Sequence, residues 1–277
     1  MLDQFWFDAD NGTVALMEAV QEMYERAADS YAALRAGLLV NGSGPLLSRL
    51  QLRDARVIVD AGTGTGGLLP LLRAAAPDAS IVGLDLTAAM LGHAQREQAQ
   101  LVQADLAHPP LRPASVDVLV SAFVLFHLTD PPAAVLELAT ALRPGGSFAV
   151  ATWTKDEPWA AKSVFSAELD AAGAPSVSSS RVGAAFTETP EALAALAESA
   201  GLRVLKTEVA PLDAPPIDAG DLVAEWAGIG STGARFAELD AAGRQRVLAN
   251  ATEKLAALSE ADRRDPHVVI RLWAVKD

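Results

Sequence analysis

The chain has 277 residues, of which 51% are hydrophobic, and its 22 Lys and Arg against 35 Asp and Glu give a formal net charge of −13. Nucleic acids and anionic membrane surfaces attract Lys and Arg, so this charge disfavours both as partners. The hydrophobic fraction is sufficient for a large buried core, which excludes disorder over most of the length.

Cysteine is absent from the chain, which excludes disulfides, thiolate zinc sites and cysteine nucleophiles, and we predict no metal site. The first ten residues contain acids where a secretory signal would have positive charges. The most apolar run, residues 116–126, includes Asp117 and is shorter than the roughly 18 residues that a membrane-spanning helix needs. We therefore expect a cytoplasmic protein without a membrane segment, either a monomer or a homodimer.

Residues 1–50 are predicted to form a helical segment that covers the site as a lid. Apolar residues recur every three or four positions from Leu16 to Leu38, which is typical of a helix with one buried face. A turn-rich sequence at 41–45 ends this helix, and a second short helix is predicted just after it.

Residues 51–153 change to short apolar runs that alternate with helical stretches. Strands buried on both faces have continuous apolar sequences, and strands that alternate with helices indicate a parallel sheet. The pattern predicts a doubly wound α/β core in which Arg-Pro-Gly-Gly at 143–146 ends the helix before the fifth strand. The predicted strands are 57–59, 81–84, 101–102, 116–120 and 147–152.

The remainder of the chain is predicted to complete the sheet and to add two lid insertions. A helix that Thr189 caps and a strand at 204–209 belong to the core, and a last strand at 268–275 follows. The insertions contain helical patterns at 160–172, 218–229 and 235–258. The predicted divisions are 154–188 (insertion), 189–211 (core), 212–266 (insertion) and 267–277 (last core strand).

A glycine-rich turn after the first core strand is the sharpest sign of a ligand site. Glycines let the backbone approach a ligand closely, and the next helix offers free N–H groups. Gly62, Gly64 and Gly67 satisfy the GxGxxG pattern of NAD-binding proteins, and Asp85 lies about twenty residues further on. However, Asp60 lies just before the glycine turn, where a carboxylate would repel a pyrophosphate but suit an ammonium or sulfonium ligand.

A further acid and the order of the motifs along the chain also indicate the kind of ligand that is bound. Asp105 follows the third strand, where its carboxylate can accept a hydrogen bond from an adenine amino group. With this acid in place, the region 55–153 resembles the core of class I S-adenosylmethionine-dependent methyltransferases, and the chain resembles their UbiE-like small-molecule branch. The motifs are DAGTGTG, GLDLTAAML, VQADLAHPPLRPASVDVLV, FVLFHL and LRPGG, in this order.

This resemblance implies a Rossmann-like, mostly parallel seven-stranded sheet with an antiparallel last strand, S-adenosylmethionine as cofactor and S-adenosylhomocysteine as product. It also implies that the glycines pass under the methionine part, that Asp85 binds the ribose hydroxyls, and that Leu86 and Asp105 with Leu106 meet the adenine. Tyr31 resembles a family tyrosine that reaches the methionine carboxylate, although it also belongs to the apolar stripe of the first helix. The implied cofactor residues are Tyr31, Asp60, Gly62, Gly64, Gly66, Asp85, Leu86, Met90, Asp105, Leu106 and Ser121.

His127 follows the fourth strand, at the rim that faces both cofactor and acceptor. A neutral imidazole can remove a proton from an acceptor, so His127 is the candidate catalytic base, with a packing or helix-capping role as the alternative. The other three histidines are predicted to be structural or solvated. Aromatic side chains are candidates for the acceptor pocket, although aromatics more often belong to the core. These substrate-binding candidates are Trp6, Tyr24, Phe123, Phe126, Trp153 and Trp226.

The sequence therefore predicts an S-adenosylmethionine-dependent methyltransferase that acts on an apolar or aromatic small molecule, within secondary metabolism. O-methylation is preferred to C- or N-methylation because His127 offers a base. Two alternatives stay open: an NAD-dependent oxidoreductase that uses the GxGxxG pattern, and a cofactor-binding scaffold that promotes a reaction without methyl transfer, such as a cyclisation.

Overall fold

The computed structural model describes residues 9–155, 158–177 and 181–277. Seven strands form a single sheet in the order β3-β2-β1-β4-β5-β7-β6, in which β1 to β5 are parallel and β7 runs antiparallel to both β5 and β6. This topology confirms the predicted doubly wound α/β fold with an antiparallel last strand. The strands are β1 (Val57–Ala61), β2 (Ser80–Asp85), β3 (Gln100–Gln103), β4 (Val116–Ala122), β5 (Leu142–Trp153), β6 (Leu202–Pro211) and β7 (Val268–Lys276).

Helices cover both faces of this sheet, which explains why the central strands have continuous apolar sequences. On one face Leu138 and Leu193 pack against β1, β4 and β5, and on the other face Leu46, Leu69 and Leu72 do so. The α-helices are α1 (Ala9–Ser30), α2 (Ala36–Ser43), α3 (Leu69–Ala75), α4 (Ala88–His93), α5 (Pro131–Ala141), α6 (Ala160–Ala171), α7 (Pro190–Ser199), α8 (Ala219–Gly228), α9 (Gly230–Ala237), α10 (Ala241–Ala256) and α11 (Glu260–Arg263).

The N-terminal helical segment contains a feature that the sequence pattern did not predict. A π-helical turn, Tyr31–Arg35, separates α1 from α2, and such turns occur frequently at functional sites. An extra residue per turn changes which side chains face inward. The turn thereby delivers Tyr31 and Arg35 to the site described below.

The two predicted insertions pack on each other through a separate hydrophobic cluster. Trp159 and Phe165 from the first insertion contact Trp226, Val247 and their neighbours from the second. The helix predicted over 235–258 is in fact two helices, α9 and α10. Their separation has a local cause, because the Asp240 side chain accepts a hydrogen bond from the Gly243 N–H and so starts a new helix.

Two sequence signals at helix ends have different outcomes. Thr189 caps α7 as predicted, since its hydroxyl accepts a hydrogen bond from the Ala192 N–H at 3.1 Å. The segment 143–146, predicted to close a helix, follows the end of α5 at Ala141 and itself lies inside β5. Leu142 is fully buried and pairs with Val116, so α5 ends at Ala141 and the strand begins one residue later.

Helix α1 is attached to α4 by polar contacts beside the sheet edge. The Glu25 carboxylate accepts hydrogen bonds from the N–H groups of Ala88 and Ala89 at 3.1 and 3.3 Å, and Asp29 lies 3.0 Å from His93 Nε2. A carboxylate at a helix N-terminus is favoured by the free N–H groups there. Within the described parts of the chain, no helix has the length and apolarity needed to cross a membrane.

We expect Glu25→Ala to loosen α1 without unfolding the sheet, because it removes the cap that joins α1 to α4. The loss of such a cap costs about 1 kcal/mol, which corresponds to roughly a fivefold increase in local opening. Hydrogen–deuterium exchange of the peptides that contain α1 measures this opening. Glu22→Ala, an exposed acid on the same helix, is the control, and equal exchange in both variants would show that the cap does not hold α1.

Candidate functional site

A cavity at the carboxyl ends of β1, β2 and β4 contains most of the predicted cofactor residues. Ligands bind at such a position in open α/β sheets. We call it cavity A, and its lining includes Tyr24, Tyr31, Gly62, Gly64, Asp85, Leu86, Thr87, Met90, Asp105, Leu106, Phe123, Val124 and His127.

The glycine turn after β1 requires glycine for steric reasons. Gly62 has φ of 79°, and a Cβ atom there would lie 2.1 Å from Val124 Cγ2. The Gly62 and Thr63 N–H groups both donate to the Leu84 carbonyl at 2.8 Å, which fixes the turn against β2. The backbone therefore forms a bare surface along cavity A, where a ligand can approach closely.

Asp85, at the end of β2, holds this turn in place. Its two carboxylate oxygens accept hydrogen bonds from the N–H groups of Gly64 at 2.8 Å and Thr87 at 2.9 Å. Burial raises the pKa of Asp85, and these two hydrogen bonds oppose that rise. A carboxylate has about four acceptor positions, so Asp85 can still accept two hydrogen bonds from a diol.

Asp60 is almost fully buried at the end of β1, with 2% of its surface exposed. It lines a small adjoining cavity together with Gly62, Gly64 and Gly67, and its carboxylate accepts a hydrogen bond from the Thr63 hydroxyl at 2.8 Å. Burial raises the pKa of Asp60 to about 7, the hydrogen bond from Thr63 opposes this rise, and the charge of Asp85 adds to it. A cationic ligand in the adjoining cavity would favour the ionised form.

The far end of cavity A combines apolar walls with one acid. Leu86, Met90 and Leu106 supply the apolar walls, and Asp105 lies at the edge. One oxygen of Asp105 accepts a hydrogen bond from the Ala107 N–H at 2.9 Å, and the carboxylate retains further acceptor positions. This arrangement suits a flat, nitrogen-rich ring such as a purine.

The structure does not bring two of the predicted cofactor residues to the cavity. Ser121 is fully buried in β4, and its hydroxyl donates to the Ala61 carbonyl at 3.0 Å. Gly66 has φ of 76° and packs against Ala94 and Leu69, so it shapes the turn without lining either cavity. Gly67 takes the place along the adjoining cavity that was predicted for Gly66.

A wall of rings separates cavity A from a second cavity, cavity B. Tyr24, Tyr31, Phe123 and His127 line both of them. The Tyr24 hydroxyl lies 2.8 Å from His127 Nε2. Burial raises the pKa of Tyr24 far above its usual value, so the hydroxyl is neutral, and the tautomer of His127 decides which of the two groups donates. His127 therefore faces the boundary with this nitrogen already engaged.

Phe123 forms the centre of this wall in a conformation that is uncommon for its residue type. Its φ is 60°, in the left-handed region that a bulky side chain rarely adopts. The Phe123 N–H donates to the Ala151 carbonyl at 2.8 Å, and its ring stacks on Trp153 with centroids 4.2 Å apart. Strain of this kind concentrates at ligand sites, and here it directs the ring between the two cavities.

Cavity B has a volume of about 210 Å³ and an aromatic lining. A cavity of roughly 150 Å³ holds benzene, so cavity B has room for a small organic molecule. The predicted substrate residues Tyr24, Phe123, Phe126, Trp153 and Trp226 all line it, whereas Trp6 lies outside the described residues. Trp159 and His267 also line it.

The floor of cavity B contains a buried charge network that pattern reading missed. Arg35 Nη1 lies 2.9 Å from Glu225 and 3.3 Å from Asp265, and His267 Nδ1 contacts Asp265. Burial raises the pKa of Glu225 although Arg35 opposes the rise. Burial also acts to raise the pKa of Asp265, but the contacts with His267 and Arg35 bring it below its usual value. The network joins the N-terminal segment to the second insertion.

Lys162 and Arg181 also line cavity B and were not predicted from the sequence. No local motif marks either residue, because their position depends on how the first insertion folds over the sheet. Among the described residues, no group of three or more His, Asp or Glu side chains is arranged to hold a metal ion.

Comparison with known proteins agrees with this geometry. Residues 59–150 match the family described as "Methyltransferase domain". Over 108 residues the chain is 40% identical to trans-aconitate 2-methyltransferase of Azoarcus sp., which covers 38% of this chain and 42% of that protein. Over 141 residues it is 35% identical to malonyl-[acyl-carrier protein] O-methyltransferase of Enterobacter lignolyticus, which covers 50% and 55%. The chain thus spans about half the length of the curated relatives that it matches.

Solved structures share the fold along nearly the whole chain. The cyclase SpnF aligns with a TM-score of 0.57 and 16% identity, and the alignment covers 94% of this chain and 96% of SpnF. Phosphoethanolamine N-methyltransferase 2 of Haemonchus contortus, solved with S-adenosyl-L-methionine, aligns with a TM-score of 0.54 and 16% identity, covering 93% and 60%. Residues 59–150 thus match a methyltransferase domain, and the relatives similar to this part of the chain are methyltransferases.

Proposed function

We propose that this chain transfers a methyl group from S-adenosylmethionine, bound in cavity A, to an oxygen atom of a small molecule bound in cavity B. The single observation that supports this most is the shared wall of Tyr24, Tyr31, Phe123 and His127. Because the two cavities share these lining residues, they adjoin, and a ligand in one cavity can approach a ligand in the other along the edges of these rings. The curated relatives named above include an O-methyltransferase, which favours oxygen as the acceptor atom.

The residues present fit the cofactor. Asp85 retains acceptor positions for the ribose hydroxyls, while Leu86, Met90, Asp105 and Leu106 suit the adenine. The bare backbone at Gly62 and Gly64 passes under the methionine part, with Asp60 and Tyr31 near its charged end. When bound, S-adenosylmethionine supplies a methyl group that its positively charged sulfur has already activated.

The work left to the protein is to position the acceptor and to exclude water. A reacting pair must be held at about 3 to 3.5 Å in line, which a rigid aromatic wall favours. Phe123 is fixed by its backbone hydrogen bond and by stacking on Trp153. Tyr24 holds His127 in one orientation through the 2.8 Å hydrogen bond.

For His127 we favour a positioning role over that of a base. Nε2 is hydrogen-bonded to the neutral Tyr24 hydroxyl, so this nitrogen removes no proton from an acceptor unless Tyr24 moves. The role of base stays a prediction, and the dependence of the rate on pH decides it. A base gives a rate that rises with pH through the His127 pKa and loses this rise in His127→Asn.

Two alternatives remain as outcomes of the same assays. The carboxylate of Asp60 next to the glycine turn opposes a pyrophosphate, which disfavours NAD. A scaffold that binds the cofactor without methyl transfer would return a product that lacks the mass of an added methyl group. Methyl-labelled S-adenosylmethionine, supplied with a panel of acceptors, separates these functions.

Asp85→Asn is expected to weaken binding of S-adenosylhomocysteine by about 10- to 100-fold, since hydrogen bonds to a charged group contribute about 1.5 to 3 kcal/mol. Isothermal titration calorimetry measures the affinity, and a thermal melt verifies folding. Asp78→Asn, an exposed acid after α3, serves as the control. Equal affinity in the two variants would remove Asp85 from the cofactor site.

Asp60→Asn is expected to stabilise the free protein but to weaken cofactor binding. The folded state holds the Asp60 proton up to a pKa of about 7, against 3.8 in the reference state. The contribution of Asp60 to the free energy of unfolding is therefore largest at low pH. It falls by up to about 4 kcal/mol as pH rises from about 4 to about 7. Because Asn does not titrate, the stability of the variant does not fall in this way with pH. The variant also has no negative charge to bind the cofactor's ammonium group.

Urea unfolding at several pH values and calorimetry with S-adenosylhomocysteine measure the two effects on Asp60→Asn. A gain of stability above neutral pH together with unchanged affinity would show that Asp60 does not contact the cofactor. Asp54→Asn, an exposed acid just before β1, should change neither quantity.

A further inference from the structure

Cavity B collects positive charge in a chain whose formal net charge is −13. Among the described residues, its lining contains Arg35, Lys162 and Arg181 and one carboxylate, that of Glu225. A local field of this sign attracts anions into a cleft. An incoming anion would pair with a cation whose charge the protein has not already neutralised.

Arg35 is already neutralised by the protein. Its guanidinium contacts Glu225 at 2.9 Å and Asp265 at 3.3 Å, and both carboxylates are buried. Two negative charges therefore share this one cation, with His267 on the other side of Asp265. Arg35 holds the floor together, and the positive charge that is offered to a ligand comes from Lys162.

Lys162 lies in the first turn of α6, where the helix dipole disfavours a cation. It is half-buried at the cavity wall. Within residues 9–155, 158–177 and 181–277, its ammonium group has no hydrogen-bond or ion-pair partner. Neither the helix nor a neighbouring carboxylate accounts for the charge at this place.

Arg181 packs on the ring of Phe126, which also contacts His127. Its guanidinium carbon lies 5.2 Å from the centroid of the Phe126 ring, which in turn lies 4.3 Å from the His127 ring. One guanidinium nitrogen donates to the Thr154 carbonyl at 3.2 Å. These contacts orient a planar fork of N–H groups, the geometry that matches a carboxylate.

Helix α9 adds a third source of positive potential. It begins at Gly230, and the preceding Ile229 has no side-chain oxygen to cap it. Gly230, Ser231 and Thr232, its first turn, line cavity B. The first N–H groups of a helix have no partner within it and favour a nearby negative charge.

We propose that the methyl acceptor is an organic anion, and that Lys162 and Arg181, with the first turn of α9, bind its carboxylate in cavity B. The apolar part of the acceptor then lies against the rings of Trp159 and Trp226, whose centroids are 5.1 Å apart. That this anion receives the methyl group rests on the proposed function. The anion site itself is a property of cavity B and is testable without the cofactor.

The test compares four acids with their uncharged amides: benzoate, phenylacetate, phenylpropanoate and succinate. Each is titrated by calorimetry into the wild type, Lys162→Met and Lys162→Arg. We expect at least one acid to bind the wild type about tenfold more tightly than its amide, since an ion pair in a half-buried cleft contributes about 1.4 kcal/mol. Lys162→Met should lose this preference, and Lys162→Arg should retain most of it.

Lys276→Met is the matched control. It removes the same charge at the opposite end of β7 from His267, where the Lys276 ammonium donates to the Ala139 carbonyl. Acid affinity should stay unchanged in this variant. The proposal is overturned if no acid binds more tightly than its amide, or if Lys162→Met and Lys276→Met give the same affinity.

A parallel titration with S-adenosylhomocysteine tests the proposed function separately from the anion site. Its affinity should be equal in the wild type and in Lys162→Met, because Lys162 does not line cavity A. If this compound fails to bind the wild type, the proposed function fails. The comparison of acids with amides, performed without the compound, then still decides the anion site.

Discussion

The hydrogen bonds between Asp85 and the peptide groups of the glycine turn are the interaction on which the whole site depends. The Gly64 N–H donor joins the end of β2 to the backbone after β1, and the Thr87 N–H, in the loop after β2, fixes the orientation of the same carboxylate. Burial alone would make this carboxylate hard to ionise, and the N–H groups compensate for the lost water. Because Val124 also leaves no room for a side chain at Gly62, the crevice is formed before any ligand arrives.

The parts of the molecule that repeat a simple physical rule could be predicted from the sequence. Strands β1 and β4 have continuous apolar sequences because helices cover both faces of the sheet, and the alternation of strands with helices indicates their parallel pairing. Asp85 could be predicted because parallel strands place their carboxyl ends along one edge. The Thr189 cap is equally local, since one hydroxyl and one N–H three residues later determine it.

The rest depends on contacts between distant parts of the chain. Arg35 and Glu225 are 190 residues apart in sequence, and only the π-helical turn brings the arginine to the cavity floor. Lys162 has no neighbouring motif, because its role depends on where the first insertion folds. Ser121 is a residue that the motif order placed at the cofactor site although the structure does not. Its hydroxyl donates to the carbonyl of Ala61 in the adjacent strand, and the sequence carries no sign of this contact.

The charge network under cavity B costs free energy of folding, because its charged groups are buried between three elements of the chain. Buried ion pairs are often no more stable than apolar residues of the same size, because the charges lose their water. Removing one partner, however, leaves an uncompensated charge, so the network tolerates only one arrangement of its elements. Here those elements are the turn after α1, helix α8 and the segment before β7. The network thus joins the N-terminal segment to the second insertion beside the aromatic wall, and because Arg35 is paired within it, the anion recognition that we propose falls to Lys162.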